Sequence, residues 1–175
     1  MDLLLTNHQV EDIAGAPLMT YRYNQFANSD NLDDMFNGYD NILISYDHAM
    51  KGNTITGHWC CLKKLDNKSI VFFDSYGEFP DSQLDNIDKE YREENNMIRS
   101  HLSHLLIDSK FKNIYYNQFE FQCIEPGINT CGRWCGLFLR LAMKPEPFKE
   151  LIDHLCNMFD LYPDELVTYL TQQFI

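Results

Sequence analysis

The sequence is poor in positive charge and has no long hydrophobic run. Its 175 residues include 14 Lys and Arg against 26 Asp and Glu, a formal net charge of −12. This excess of acid disfavours non-specific binding to DNA, RNA or anionic membranes. No stretch reaches the roughly 18 apolar residues of a transmembrane helix, and the segment 1–7 has no basic residue typical of a signal peptide. We expect a protein of the cytosol, or of a particle assembled there.

Two common kinds of site are also missing. The chain has no Gly-rich phosphate loop, so nothing indicates nucleotide chemistry. It also has no Cys-x-x-Cys knuckle, which most structural zinc sites use. Cys131 and Cys135 could bind a metal together with His58, Cys60 and Cys61. However, Cys60 and Cys61 are adjacent in a predicted strand and would point to opposite faces of the sheet. We predict neither a metal nor another cofactor.

The six cysteines do not form the pattern of a secreted disulfide framework. Two of them are adjacent and two lie four residues apart within a predicted helix; the full set is Cys60, Cys61, Cys123, Cys131, Cys135 and Cys156. In a reducing compartment such cysteines are mostly buried free thiols. A reactive cysteine must therefore be recognised by its surroundings.

The order of helical and strand patterns predicts one α+β domain over residues 1–175. Thr6 and Gln9 form a predicted capping box, and Gly15 ends the helix that follows. The predicted strands are Asn41–Tyr46, His58–Lys64, Ser69–Asp74 and Asn113–Phe121, with a hairpin turn at Asp66-Asn67. The predicted helices are Asn86–Ile107, a buried helix Cys131–Met143, and two amphipathic helices, Pro147–Phe159 and Pro163–Phe174.

Cys131 is the predicted nucleophile because it lies where the buried helix should begin, with Asn129 or Thr130 as N-cap candidates. A helix N-terminus lowers the pKa of a thiol, and the N–H groups of its first turn can hold a developing oxyanion. Gly132 would let a substrate approach the thiol closely. Cys135, one turn further on, is the rival, but the effect of the helix dipole has faded there.

A thiol nucleophile needs a base and a group that orients this base. His58 lies at the start of a predicted strand and Asp74 ends the neighbouring strand, so the two side chains can lie side by side. The weaker alternatives to His58 are His48, His101 and His104. Gln122, just before the loop that leads to Cys131, is the predicted side-chain donor to the oxyanion, with Gln118 as the alternative.

These residues resemble a known family. The segments Gly57-His58-Trp59, Phe72–Gly77 and Thr130–Cys135 resemble the adenovirus-type maturation proteases, including proteases of virophages, large DNA viruses and Maverick/Polinton elements, and more distantly the ubiquitin-like-protein proteases. The resemblance implies a papain-like cysteine proteinase fold of the adenovirus protease type, in which a mixed sheet packs on a central buried helix that starts at the nucleophile. It places the nucleophile at Cys131, the histidine at His58 and the acid at Asp74. It further implies Trp59 and Trp134 as walls of a substrate channel.

The expected function is a cysteine endopeptidase that processes viral capsid precursors, cutting after small residues, in the host cell cytoplasm and the virion. The adenovirus enzyme is basic and uses viral DNA as a cofactor, which a chain of charge −12 is not expected to do. The alternatives are a protease that removes ubiquitin-like modifiers, an acyltransferase with the same three residues, and a non-catalytic binding module of the same fold. An activating partner is left open.

Overall fold

A mixed five-stranded sheet, open at both edges, organises the chain. The computed structural model describes residues 4–51 and 54–175, and of residues 48–51 and 54–56 only the backbone. The strands are β1 Met19–Arg22, β2 Asn41–Lys51, β3 Thr54–Lys64, β4 Ser69–Asp74 and β5 Asn113–Tyr116, and they lie in this order across the sheet. The outer pairs β1–β2 and β4–β5 are parallel, whereas the inner pairs β2–β3 and β3–β4 are antiparallel.

Helices cover both faces of this sheet. They are α1 Asn7–Ala14, α2 Leu32–Phe36, α3 Lys89–Glu94, α4 His101–Ile107, α5 Cys131–Leu141, α6 Pro145–Phe159 and α7 Pro163–Thr171. Successive strand residues point to opposite faces, so Val71 and Phe73 join the core cluster that contains α5, while Ile70 and Phe72 join the other cluster. All six residues of β4 are buried for this reason. The fold class, α+β with a mixed sheet, is confirmed.

Several local predictions are confirmed. Thr6 and Gln9 form the capping box of α1, and Gly15 caps its end with φ 66°. The strands β3 and β4 form the expected hairpin, in whose turn the Asp66 carboxylate accepts a hydrogen bond from the Lys68 N–H at 2.7 Å. The central helix α5 is buried along most of its length, from Cys131 to Leu139. Among the residues that the structure describes, no helix has both the length and the apolar character needed to cross a membrane.

Two predicted elements are wrong in extent. The stretch Asn86–Ile107 is not one helix, because Asn95 caps the end of α3 and Asn96 has φ 56°, a left-handed conformation that a helix cannot contain. The predicted strand Asn113–Phe121 stops at Tyr116. Its next residue, Asn117, turns its side chain onto the backbone of Asp74 and Phe119 instead of continuing the ladder.

Other boundaries move by a few residues. The helix α5 ends at Leu141 because Ala142 adopts φ 51°, and α6 begins at Pro145 rather than Pro147. The last predicted helix ends at Thr171 and continues as a 3-10 turn, Gln172–Phe174. The short strand β1 and the five-residue helix α2 carry too few residues to show a periodic pattern, and they are absent from the sequence-based prediction.

Candidate active site

Cys131 is the first residue of α5, and its side chain is buried. Thr130 occupies the N-cap position, as predicted, but its side chain does not cap the helix. Its hydroxyl is hydrogen-bonded to the carboxylate of Asp164. The first helical turn therefore receives no side-chain cap from Thr130, and within this turn the Gly132 N–H is hydrogen-bonded to the Cys131 sulfur and lowers the pKa of its thiol.

His58 and Asp74 lie side by side on neighbouring strands. The register pairs Cys60 with Asp74, so His58 lies two residues along β3 from the residue opposite the carboxylate. His58 Nε2 is 2.7 Å from Asp74 Oδ1, and both side chains are buried. The ring of Tyr76 stacks on the imidazole at a centroid distance of 4.3 Å and an angle of 10°. The imidazole is thus held both at its edge and on one face.

Asp74 is itself held by several donors. Its Oδ1 accepts a hydrogen bond from the Tyr76 N–H at 2.9 Å, and its Oδ2 accepts one from Gln83 Nε2 at 3.0 Å. The same Gln83 nitrogen donates to Glu78 Oε2 at 3.0 Å. Asn117 fixes the backbone of Asp74 on both sides, accepting from its N–H at 3.0 Å and donating to its carbonyl at 2.5 Å. These contacts determine the direction in which the carboxylate faces His58.

The side chains of His58 and Cys131 are hydrogen-bonded to each other, and their pKa values move in opposite directions. Burial alone lowers the pKa of His58, but its hydrogen bonds to Asp74 and Cys131 outweigh burial and raise this pKa from 6.5 to about 10. Burial raises the pKa of the Cys131 thiol, but the hydrogen bond and positive charge of His58 outweigh it and lower this pKa. Both changes favour a thiolate–imidazolium pair.

Cys135 has none of these features. Its Sγ donates a hydrogen bond to the Trp59 carbonyl at 3.3 Å, and burial raises the pKa of its thiol. Cys60 is also fully buried, and burial together with the nearby Asp74 raises the pKa of its thiol. Of the alternative histidines, His101 packs against Tyr23 in the second core cluster, and the side chain of His48 lies outside the described residues.

One group of residues could be considered as metal ligands. The ligand atoms of His58, Cys60 and Asp74 all lie within 4.8 Å of one another. Zinc ligands about 2.1 Å from a tetrahedral ion stand roughly 3.4 Å apart, whereas His58 Nε2 and Asp74 Oδ1 are 2.7 Å apart. This spacing is that of a hydrogen bond, so the arrangement does not fit a metal.

Gln122 is buried near the turn that follows Asp74. Its Oε1 accepts a hydrogen bond from Ser75 Oγ at 2.8 Å, while its Nε2 donates to the Ile128 carbonyl at 3.0 Å and to the Tyr76 hydroxyl at 3.4 Å. The alternative, Gln118, is hydrogen-bonded to the Tyr116 hydroxyl at 3.0 Å on the surface. Gln122 is therefore rigidly placed beside the site, and its role as an oxyanion donor stays a prediction.

The two tryptophans lie in different surroundings. Trp59 is half-buried and donates to the Leu5 carbonyl at 3.0 Å; with Leu5, Tyr21, Arg22 and His58 it lines a groove of about 660 Å³. Trp134 is fully buried and packs against Phe121 and Phe148 in the core. Contrary to the expectation from the sequence, Trp134 therefore reaches no surface on which a peptide could lie.

The role expected for Gly132 also needs correction. A Cβ built on this residue would lie 3.1 Å from Leu5 Cβ, 3.2 Å from Val10 Cγ2 and 3.3 Å from Trp59 Cδ1. The missing side chain thus makes room for α1 and the segment before it, rather than for a substrate. The close packing fixes the first turn of α5, and with it Cys131.

Sequence reasoning missed three residues that support the site: Gln83, Asn117 and Asp164. Each acts through a side-chain contact with a distant or irregular segment, and none stands in a motif. Asp164 follows Pro163 in the first turn of α7, where an acidic residue is ordinarily explained by the helix dipole. Its place in a first helical turn therefore gives no indication that the side chain of Asp164 is buried.

Fold and site together define an α+β protein with a buried cysteine, histidine and aspartate in contact at the start of its central helix. The chain is 37% identical over 168 residues to the uncharacterized protein V9 of Sputnik virophage, an alignment that covers 95% of this chain and 93% of that protein. This chain belongs to the same family as that virophage protein. No protein-family model matches the chain.

Proposed function

We propose that this chain is a cysteine endopeptidase with a papain-like fold of the adenovirus protease type. The observation that carries the proposal is the line of contacts from Asp74 through His58 to Cys131. The carboxylate lies 2.7 Å from one ring nitrogen, and the thiol at the helix start is hydrogen-bonded to the same imidazole. A structural histidine needs neither a thiol partner at a helix N-terminus nor a carboxylate held by two further donors.

The chemistry follows from this arrangement. The Cys131 thiolate attacks the carbonyl carbon of a peptide bond, a C–S bond forms, and the carbonyl oxygen becomes an oxyanion. The first-turn N–H groups of α5 and the Gln122 amide stabilise this oxyanion. The His58 imidazolium then gives its proton to the amine as the C–N bond breaks. A water molecule, deprotonated by His58, attacks the thioester, and the acid product leaves with Cys131 restored.

The substrate class is proposed from the family resemblance and from the virophage relative. We propose that the enzyme cuts capsid or other structural precursor proteins after small residues, within the viral factory of the host cytoplasm and in the virion. The groove supports this because it has a volume of about 660 Å³, within the range of ligand sites, and because His58 and Trp59 line it.

The test is cleavage of a library of proteome-derived peptides, with the new termini identified by mass spectrometry and Cys131→Ser as the control. We expect cuts that cluster after small residues and vanish in the control. Reaction with a ubiquitin-like suicide probe and no cleavage of the library would favour the deconjugating protease. A folded protein that cleaves neither the library nor the probe, and whose Cys131 is alkylated no faster than an ordinary thiol, would be a binding module, and the proposal would be wrong.

A further inference from the structure

Among the residues that the structure describes, the buried carboxylate of Asp164 has no cation within ion-pair distance and accepts hydrogen bonds from three donors. Its Oδ1 accepts from the Thr130 hydroxyl and from Trp134 Nε1, the latter at 3.3 Å, and its Oδ2 accepts from the Cys123 N–H at 2.9 Å. A buried carboxylate is costly unless donors surround it. The three donors therefore satisfy the oxygens of this buried side chain.

These donors lie at the two ends of one loop. Cys123 directly follows Gln122, and Thr130 directly precedes Cys131, so the loop 123–130 begins and ends on Asp164. The loop contains Gly127 with φ 89°, and it is also supported by the hydrogen bonds from Gln122 to the Ile128 carbonyl and from the Ile128 N–H to the Glu125 carbonyl. The Asp164 carboxylate on α7 thus helps to fix the distance between Gln122 and Cys131, the residues on either side of this loop.

We propose that Asp164 is a positioning residue that holds Gln122 and Cys131 in register, so that the thiol and the oxyanion donors face the same carbonyl carbon. This inference rests on the proposed function. Among the contacts described, Asp164 touches neither the thiol nor the imidazole. We therefore expect a substitution of Asp164 to weaken the stabilisation of the oxyanion and to leave the thiolate–imidazolium pair intact.

Asp164→Asn is a sharp test of this role. The Cys123 N–H and Trp134 Nε1 can only donate, and they lie on different carboxylate oxygens, so the NH₂ group of an asparagine must face one of them. The shape of the side chain is kept, while its charge and at least one of these hydrogen bonds are lost. Glu165→Gln is the matched control, because Glu165 lies in the same helical turn and accepts a hydrogen bond from the N–H of Tyr162 at 3.0 Å.

Two probes separate the oxyanion from the ion pair. Iodoacetamide at pH 6 reports the Cys131 thiolate alone. The aldehyde acetyl-Ala-Ala-glycinal adds reversibly to the thiol: a C–S bond forms, the C=O π bond opens, and the new alkoxide needs the oxyanion donors. We expect Asp164→Asn to be alkylated within about twofold of the wild-type rate and to bind the aldehyde about 100-fold more weakly, the loss typical of a misplaced reacting group. Glu165→Gln should match the wild type in both assays.

The outcomes are distinct. If the wild type reacts with both probes and Asp164→Asn reacts equally well, the positioning role is wrong while the proposed function stands. If the wild type reacts with neither probe, the proposed function fails, and the positioning role fails with it. If Asp164→Asn does not fold, Thr130→Val releases one end of the loop and keeps the carboxylate; it should show the same selective loss of aldehyde binding, and equal binding would overturn the inference.

Discussion

Asp74 Oδ1 lies 2.7 Å from His58 Nε2, and the same imidazole is hydrogen-bonded to the Cys131 thiol. The orientation depends on the neighbours of Asp74 as much as on the pair itself, because Tyr76 and Gln83 donate to the two carboxylate oxygens. A base that is oriented by a carboxylate and bonded to a thiol can transfer a proton along a fixed line.

Asp74→Asn should slow the alkylation of Cys131 by iodoacetamide at pH 6 by about tenfold or more, because an opposite charge in contact shifts a pKa by roughly 1–3 units. The asparagine cannot accept from both His58 and Gln83, so the imidazolium loses its charged partner and the thiolate loses the imidazolium. Asp85→Asn is the control, since Asp85 is exposed and its Oδ1 lies 4.0 Å from Nη1 of Arg92. An unchanged rate in Asp74→Asn would show that Asp74 does not support the ion pair.

The contribution of His58 to stability should depend on pH. Its folded-state pKa, raised from 6.5 to about 10, exceeds the unfolded value, so the stabilisation is full below the unfolded pKa and is lost as pH rises through the folded one. Urea unfolding of the wild type and His58→Gln at pH 6, 8 and 10 should show a difference that is largest at pH 6 and shrinks toward pH 10. His8→Gln, at an exposed position on α1, controls for the loss of a histidine. A difference that grows with pH would contradict the assignment.

Glu78→Gln should stabilise the protein at neutral pH. Burial and the nearby Asp74 raise the pKa of Glu78 above 4.5. Ionisation of Glu78 therefore costs more free energy in the folded than in the unfolded state. As a result, the stability of the protein falls as pH rises from the unfolded pKa of Glu78 through its folded pKa. The glutamine keeps an acceptor for Gln83 and removes the charge. The melting temperature of Glu78→Gln minus that of the wild type should therefore be larger at pH 7 than at pH 4. The exposed control Glu90→Gln should show no such increase. A constant difference at both pH values would contradict this reasoning.

Gly136→Ala should destabilise the support beneath the site. A Cβ at Gly136 would lie 2.6 Å from Ile13 Cγ2 and 3.2 Å from the Val10 carbonyl oxygen, so α1 must move away from α5. Overpacking of this kind costs about 1–3 kcal/mol of the free energy of unfolding, which urea titration measures. In an Ile13→Gly background the same substitution should cost less, because both close carbons, Ile13 Cγ2 at 2.6 Å and Ile13 Cβ at 2.7 Å, are gone. Equal costs in both backgrounds would place the strain elsewhere.

Sequence reasoning located the elements and residues whose signals are local. The capping box at Thr6 and Gln9, the turn at Asp66 and the bounds of β4 each depend on a few neighbouring residues, and all are confirmed. Asp74 ends β4 and Cys131 begins α5, and the structure brings both together with His58, which lies within β3.

The rest depends on contacts that the sequence does not display. Asp164 lies 41 residues from Cys123 and 34 from Thr130, so no local pattern links them. Asn117 ends its strand through a side-chain contact with Asp74, 43 residues away, although the aromatic alternation around it favours a longer strand. The family resemblance implies Trp134 as a wall of a substrate channel, but its position on the helix faces Phe121 and Phe148 in the core.

The most direct test of the thiolate–imidazolium pair is the site of first alkylation by iodoacetamide at pH 6, read by mass spectrometry in the wild type and in His58→Ala. The six free thiols differ in exposure and in pKa. Cys123 is exposed, and slight desolvation and the nearby Glu125 raise the pKa of its thiol. Cys131 is buried, and His58 lowers the pKa of its thiol. We predict rapid labelling at Cys131 alone, lost in His58→Ala. Labelling that follows exposure and begins at Cys123, or that begins at Cys135, would contradict the assignment of Cys131 as the nucleophile.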